Sequence, residues 1–176
     1  MDQLHFWVCR KGKIKIILFE SGHLELVKIL RESGCDTNSE NVDRWTPFYA
    51  ACWFYNYEIV KYLIECEEID KNKPDKYGKS SFWIACERGF VKRMRLLLEN
   101  DVNIETPNND GETPFEIACD CGRLSVVSFL LNFDVEITYK CVDSAKEKFY
   151  YERVEDYNKI LSKVELEMSK RSLILL

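Results

Sequence analysis

The sequence lacks the features that mark most membrane proteins, metal proteins and nucleic-acid binders. It contains no run approaching roughly 18 consecutive apolar residues, the minimum for a membrane-spanning helix. Only 2 of its 176 residues are histidine, and its 8 cysteines include no C-x-x-C pair. The formal net charge of −5 disfavours nucleic-acid binding, because that activity needs positive charge to displace counterions from phosphate. We therefore expect no membrane span, no bound metal and no nucleic-acid partner.

Catalytic motifs are missing as well. The sequence contains no G-x-S-x-G, no G-x-x-x-x-G-K-[ST] and no G-x-G-x-x-G. His5 lies in an irregular N-terminal stretch, and His23 lies in "GHLELVK". Neighbouring acids such as those in "CEEIDKNKPD" fall in predicted loops, where solvation is the ordinary state of a carboxylate. We expect a non-enzymatic protein without a cofactor.

The composition is that of a folded globular protein. Hydrophobic residues make up 46% of the chain and charged residues 31%, so extensive disorder is not expected. The N-terminus has an acid at position 2 and no long apolar run, which is unlike a secretory signal. From this we expect a cytoplasmic or nuclear protein whose cysteines are reduced.

What the sequence does contain is repetition. Three stretches align: "TPFYAACWFYNYEIVKYLI" from Thr46, "SSFWIACERGFVKRMRLLL" from Ser80 and "TPFEIACDCGRLSVVSFLL" from Thr113. Their starting points lie 34 and 33 residues apart. An earlier stretch from Ser21, "SGHLELVKILRESGCDTN", matches only the second half of this pattern. A fixed period of this size indicates a repeat architecture.

Each copy predicts two short helices. Thr46 and Thr113 are helix-capping residues, and the proline that follows each suits the first helical position. Ser80 is also a cap, although Ser81 replaces the proline there. The second half of each copy is apolar at helical spacing. The apolar positions are Ile59, Val60, Leu63 and Ile64 in one copy and Val126, Val127, Leu130 and Leu131 in another.

The repeat also explains most of the cysteines. Cys52, Cys86 and Cys119 follow an alanine at the same place in each copy, where two helices must approach closely. A packing role is therefore favoured over a metal-binding or catalytic role. Cys121 differs, because the helical period directs its side chain toward the exposed face.

This pattern resembles the ankyrin repeat family, whose period of about 33 residues opens with T-P-L-H-x-A. The resemblance covers roughly residues 13–142. It implies an all-α solenoid of about four helix-turn-helix repeats with a C-terminal capping helix. The implied divisions are an N-terminal cap segment at 1–12, repeats at roughly 13–41, 42–74, 75–107 and 108–142, and a capping helix with a tail at 143–176.

Several residues depart from the family pattern. Gly78 and Gly111 occupy a turn position that favours glycine, and Arg44 stands in the matching place. If the backbone is the same, Arg44 carries strain of about 1 kcal/mol or more. The family's histidine, which connects neighbouring turns through hydrogen bonds, is replaced at three positions. We expect weaker bonding between turns as a result. The replacing residues are Tyr49, Trp83 and Glu116.

The resemblance implies that the protein binds another protein through the concave side of the array. Aromatic residues at the family's variable positions are candidate hot spots, with packing of these rings on each other or on nearby loops as the alternative. The candidate partner-binding residues are Trp45, Trp53, Phe54, Lys76, Tyr77, Lys79, Glu87, Arg88, Asp110, Glu112 and Asp120.

The C-terminal stretch predicts one helix capped by Asp143 or Ser144. Apolar and aromatic residues recur along it at spacings of three and four residues. A capping helix over the last repeat is favoured, and a monomer with it. A self-associating scaffold protein, dimeric through this stripe, is the alternative. The stripe comprises Tyr150, Val154, Tyr157, Leu161, Val164 and Met168.

Overall fold

The computed structural model describes residues 23–133, 135–138, 141 and 154–174, with the side chains of 158–170 in the last range. The expectations for the cap segment 1–12 and for Asp143, Ser144 and Tyr150 lie outside these residues, as do those for the side chains of Val154 and Tyr157.

The described residues contain eight α-helices and no β-strand element, which confirms the predicted all-α class. Three consecutive pairs of short helices follow the three aligned copies of the repeat. The helices are α1 (Leu24–Glu32), α2 (Pro47–Trp53), α3 (Tyr57–Ile64), α4 (Ser81–Arg88), α5 (Val91–Leu98), α6 (Pro114–Asp120), α7 (Leu124–Leu130) and α8 (Val154–Ile174).

The chain divides into two compact units, Met1–Ser81 and Phe82–Leu176. In the first unit, α3 packs against both α1 and α2. In the second unit, α7 packs against α5, α6 and α8. In both units the second helix of a repeat therefore contacts several other helices, as its apolar residues predict.

Two of the first helices begin as the sequence predicts. The Thr46 hydroxyl accepts a hydrogen bond from the N–H of Tyr49 at 3.1 Å, and the Thr113 hydroxyl accepts one from Glu116 at 3.2 Å. The Glu116 carboxylate in turn accepts the N–H of Thr113 at 2.9 Å, which completes a capping box. A proline at the first helical position accompanies each threonine.

The turn before each helix pair requires a left-handed backbone. Gly78 and Gly111 have φ of 78° and 77°, and Arg44 in the matching place has φ of 62°. The strain predicted for Arg44 is therefore confirmed. A second left-handed position follows the first helix of each pair, where Gly89 has φ of 82° and Tyr55 has φ of 72°.

The repeated cysteines lie in the core. Cys52, Cys86 and Cys119 are buried, in agreement with the packing role assigned to them. Burial also raises the pKa of Cys86 well above its usual value. Cys121 is partly buried rather than fully exposed.

Cys35 corrects one expectation from the sequence. It is disulfide-bonded, whereas the sequence analysis expected every cysteine to be reduced. Cysteine spacing along the chain carries no information on which residues the fold brings together, so sequence alone did not reveal this bond.

Helix α8 packs against α7 through Ile160 and Val164, which are both fully buried. Leu161 and Met168, two members of the predicted stripe, are only partly buried. The contact surface is thus centred on Ile160, which the predicted stripe omitted. A helix that docks on a single neighbour buries residues four apart, and a regular zipper spacing is not required.

The α8 packing generates a stability prediction. Replacing Ile160 with alanine removes buried methyl groups and leaves a cavity, so the free energy of unfolding should fall by about 2–4 kcal/mol. Leu166→Ala is the matched control, because Leu166 lies on the same helix with 57% of its surface exposed, and it should change stability by less than about 0.5 kcal/mol. Urea denaturation followed by circular dichroism measures both, and equal effects would contradict the packing.

Ser81 generates a second prediction. Its hydroxyl is fully buried and has no hydrogen-bond partner in the part of the chain that the structure describes, and the other two copies carry a buried proline at this position. Ser81→Pro should raise the free energy of unfolding by about 1–2 kcal/mol, because it removes an unsatisfied hydroxyl and restricts the unfolded chain. Ser81→Ala isolates the hydroxyl contribution in the same thermal melt. A lower melting temperature for Ser81→Pro would show that the site cannot accept the ring.

Candidate functional site

The turn before each helix pair, here called a fingertip, is held by the same set of hydrogen bonds. An Asn or Asp side chain at its start accepts two backbone N–H groups at 2.8 to 3.0 Å. The three acceptors are Asn41, Asp75 and Asn108, which recur 34 and 33 residues apart. Sequence analysis missed them, although their recurrence at the repeat period was the available signal.

The first two fingertips are joined within the first unit. The Tyr49 hydroxyl donates a 2.9 Å hydrogen bond to Asp75, the residue that organises the next fingertip. The backbone N–H of Lys76 donates to the carbonyl of Asp43 at 3.0 Å, and the Lys76 ammonium lies 2.6 Å from the Asp43 carboxylate. Tyr49 and Asp75 are both buried, so this hydrogen bond is shielded from water.

Equivalent bonds occur in the second unit. The indole Nε1 of Trp83 donates to the carbonyl of Glu112 at 3.0 Å, and the Thr138 hydroxyl donates to the Glu116 carboxylate at 2.7 Å. All three residues that replace the family's histidine therefore form a hydrogen bond to a later turn or segment. The expectation of weaker bonding between turns is wrong, because a phenol, an indole and a carboxylate each reach the required partner.

An aromatic cluster of Trp45, Tyr49, Trp53 and Phe54 lies along α2. The ring centre of Trp45 is 4.9 Å from that of Trp53, 5.3 Å from Tyr49 and 6.0 Å from Phe54. Tyr49 is buried, whereas the other three rings are partly buried. The two alternatives from the sequence thus hold together: the rings pack on each other, and three of them still reach the surface.

Tyr77 and Lys76 lie at the next fingertip. Tyr77 is 56% exposed, and the Lys76 ammonium lies 4.9 Å from its ring centre. The hydrogen bond to Asp43 raises the pKa of Lys76. Lys79 is partly buried. The ring contacts of the aromatic cluster do not extend to Tyr77 among the described residues, so Tyr77 presents a separate apolar surface.

The remaining candidate residues lie in the second unit. Asp110 is exposed at its fingertip, while the other members are partly buried. Four of these five residues are acidic, which gives this part of the second unit an acidic character. The five residues are Glu87, Arg88, Asp110, Glu112 and Asp120.

A buried polar group follows the last helix pair. The Thr138 hydroxyl lies 3.6 Å from the sulfur of Cys141, and the Cys119 and Cys141 side chains are hydrogen-bonded to each other. This bond lowers the pKa of Cys141 to about 7, and together with burial it raises the pKa of Cys119. No group of three or more His, Cys, Asp or Glu side chains suited to a metal ion occurs among the described residues.

The Tyr49 hydrogen bond generates a prediction. Tyr49→Phe keeps the buried ring but leaves the Asp75 carboxyl group without this donor, so the free energy of unfolding should fall by about 1–3 kcal/mol. Tyr57→Phe, at a tyrosine that is 40% exposed on α3, should leave stability unchanged. Chemical denaturation of both variants makes the comparison, and an unchanged Tyr49→Phe protein would show that the hydrogen bond contributes nothing.

Comparison with known proteins agrees with this geometry. The family model described as ankyrin repeats (3 copies) matches residues 5–75 and 67–141. The chain is 30% identical over 80 residues to Transient receptor potential cation channel subfamily A member 1 from Homo sapiens, covering 46% of this chain and 7% of that protein. It is 32% identical over 66 residues to Protein phosphatase 1 regulatory subunit 12A from Mus musculus, covering 38% of this chain and 6% of that protein.

The chain thus spans less than a tenth of the length of these relatives, so the likeness concerns their repeat regions. In the parts of the chain that the structure describes, no helix is both long enough and apolar enough to cross a membrane. Ankyrin repeats are protein–protein interaction modules and are generally not enzymes. With a family model that matches most of its length, and with the helix pairs and turns described above, this chain belongs to the ankyrin repeat family.

Proposed function

We propose that this protein binds another protein and that Trp45, Trp53 and Phe54 form the main apolar contact. The observation that carries the proposal is the aromatic cluster, which brings three partly exposed rings together at positions where ankyrin repeats vary. Apolar surface of this kind is costly to leave in water, and Trp and Tyr are enriched among binding hot spots. Tyr77 adds a neighbouring apolar contact.

The cluster is suited to binding because it is already ordered. Trp45 is held between three other rings, so a partner that covers it does not have to immobilise a free side chain. Less conformational entropy is then lost on association. The hydrogen bond from Tyr49 to Asp75 orders the next fingertip in the same way.

Charged residues supply the rim of the proposed contact. Lys76 and Lys79 lie at the fingertip that carries Tyr77, and their charges select among partners more than they add affinity. The acidic residues of the second unit are further candidate contacts, suited to basic groups of a partner. They are Glu87, Asp110, Glu112 and Asp120, and Arg88 accompanies them.

Self-association through the C-terminal helix has less support. Ile160 and Val164 are buried against α7, which removes the most apolar described face of α8 from any second copy. Light scattering over a range of protein concentrations measures this directly. A stable dimer that Leu161→Glu converts to a monomer would favour the scaffold function instead.

Alanine substitutions test the proposal. Trp45→Ala, Trp53→Ala and Tyr77→Ala should each weaken partner binding by about tenfold or more, because each removes a large apolar contact. The measurement is capture of a partner from native extract, followed by calorimetric titration of the purified pair. Leu166→Ala serves as the control, since it removes an exposed apolar side chain elsewhere.

Folding is monitored in parallel, because the rings also pack on each other. The helical signal in circular dichroism should be retained in each variant at the temperature of the binding assay. The proposal fails if binding follows the folded fraction alone across the series, since the rings would then act only in packing.

A further inference from the structure

Two strained residues lie at the two ends of α2, the helix beside which the aromatic cluster is built. Arg44 precedes the helix with φ of 62°, and Tyr55 follows it with φ of 72°. At the matching places the other copies carry glycine, which adopts this backbone without steric cost. Both left-handed positions of this one repeat are therefore occupied by side chains that make them less stable.

Burial does not compensate for this strain. The Arg44 side chain is 52% exposed, and Tyr55 is 66% exposed. The Arg44 Nε lies 3.7 Å from the Glu40 carboxylate, and an exposed ion pair at that distance contributes little. Strained residues that persist in this way are often found where the side chain has a function.

Their positions connect them with the proposed contact. Arg44 is adjacent to Trp45, and Tyr55 is adjacent to Phe54, so they flank the aromatic cluster in the chain. Neither residue was among the candidates identified from the sequence.

The local charge indicates what kind of partner fits. Residues 42–45 and 76–79, the two fingertips of the first unit, carry three cations, Arg44, Lys76 and Lys79, against the single carboxylate of Asp43. That carboxylate is already paired with Lys76. In a protein of net charge −5, this excess of positive charge is a local reversal that favours an acidic partner.

We propose that Arg44 and Tyr55 are partner-contact residues, and that the partner segment carries an apolar side chain flanked by carboxylates. This inference rests on the proposed function and specifies its ligand. The apolar side chain covers Trp45, and a carboxylate beside it pairs with the Arg44 guanidinium, whose planar fork accommodates two oxygens. Tyr55 extends the contact past Phe54 with a ring and a hydroxyl.

A selection from a random peptide display library, performed on the wild-type protein, identifies the preferred chemistry. The enriched peptides should combine a large apolar residue with Asp or Glu. Versions of the best peptide with lysine in place of each acid should lose binding by about tenfold or more. Basic or neutral enriched peptides, or no enrichment at all, would overturn the proposal.

Glycine substitutions then separate function from folding. Arg44→Gly and Tyr55→Gly should each raise the melting temperature by a few degrees, on the order of 2–4 °C, since the strain is released. Each should weaken binding of the selected peptide by about tenfold. Asp101→Gly is the matched control: Asp101 is exposed in a loop with φ of 57°, so its replacement should also stabilise the protein but leave binding unchanged.

The opposite movement of stability and affinity is the decisive result, because a purely structural residue would not produce it. If Trp45→Ala abolishes binding while both glycine variants bind as the wild type does, this inference fails and the proposed function stands. If Trp45→Ala binds the peptide as the wild type does, the proposed function itself fails.

Discussion

The structure depends on burial of the apolar face that each short helix carries. Helices of seven or eight residues, such as α2 and α3, are too short to be stable alone in water. They persist because the second helix of a pair packs against several neighbours, as α3 does with α1 and α2. Small residues such as Cys52 and Cys119 permit the close approach that this packing needs. The cysteine-rich composition is thus a consequence of helix packing.

A second constraint acts on the fingertips, where backbone groups must be satisfied without a helix or a sheet. One Asn or Asp side chain organises each turn, and hydrogen bonds from Tyr49 and Trp83 connect turns within each unit. Chemically different side chains perform the same task at equivalent positions. The geometry of the turn is therefore maintained even though the residue that the family usually employs is absent. A preorganised fingertip is also what a binding surface needs, because it reduces the entropy lost on association.

Most of the fold could be predicted from the sequence, because its signals are local and repeated. The helix pairs, the threonine caps, the buried cysteines and the strain at Arg44 all follow from a pattern that recurs every 33 or 34 residues. The errors concern contacts between distant residues. The disulfide at Cys35 and the burial of Ile160 rather than Leu161 depend on which surfaces meet, and a single helix period does not specify that. The bonding capacity of Trp83 was underestimated for the same reason.

The sequence by itself determined the repeat, the helix pairs and the identity of the residues presented at variable positions, because each follows from side-chain chemistry within a few turns of chain. Only the tertiary structure decided that Trp45, Trp53 and Phe54 meet around the buried ring of Tyr49 and still reach the surface. Ring contacts depend on the angle at which a fingertip meets its helix. That angle is set by hydrogen bonds to the next repeat, which no local stretch of sequence contains.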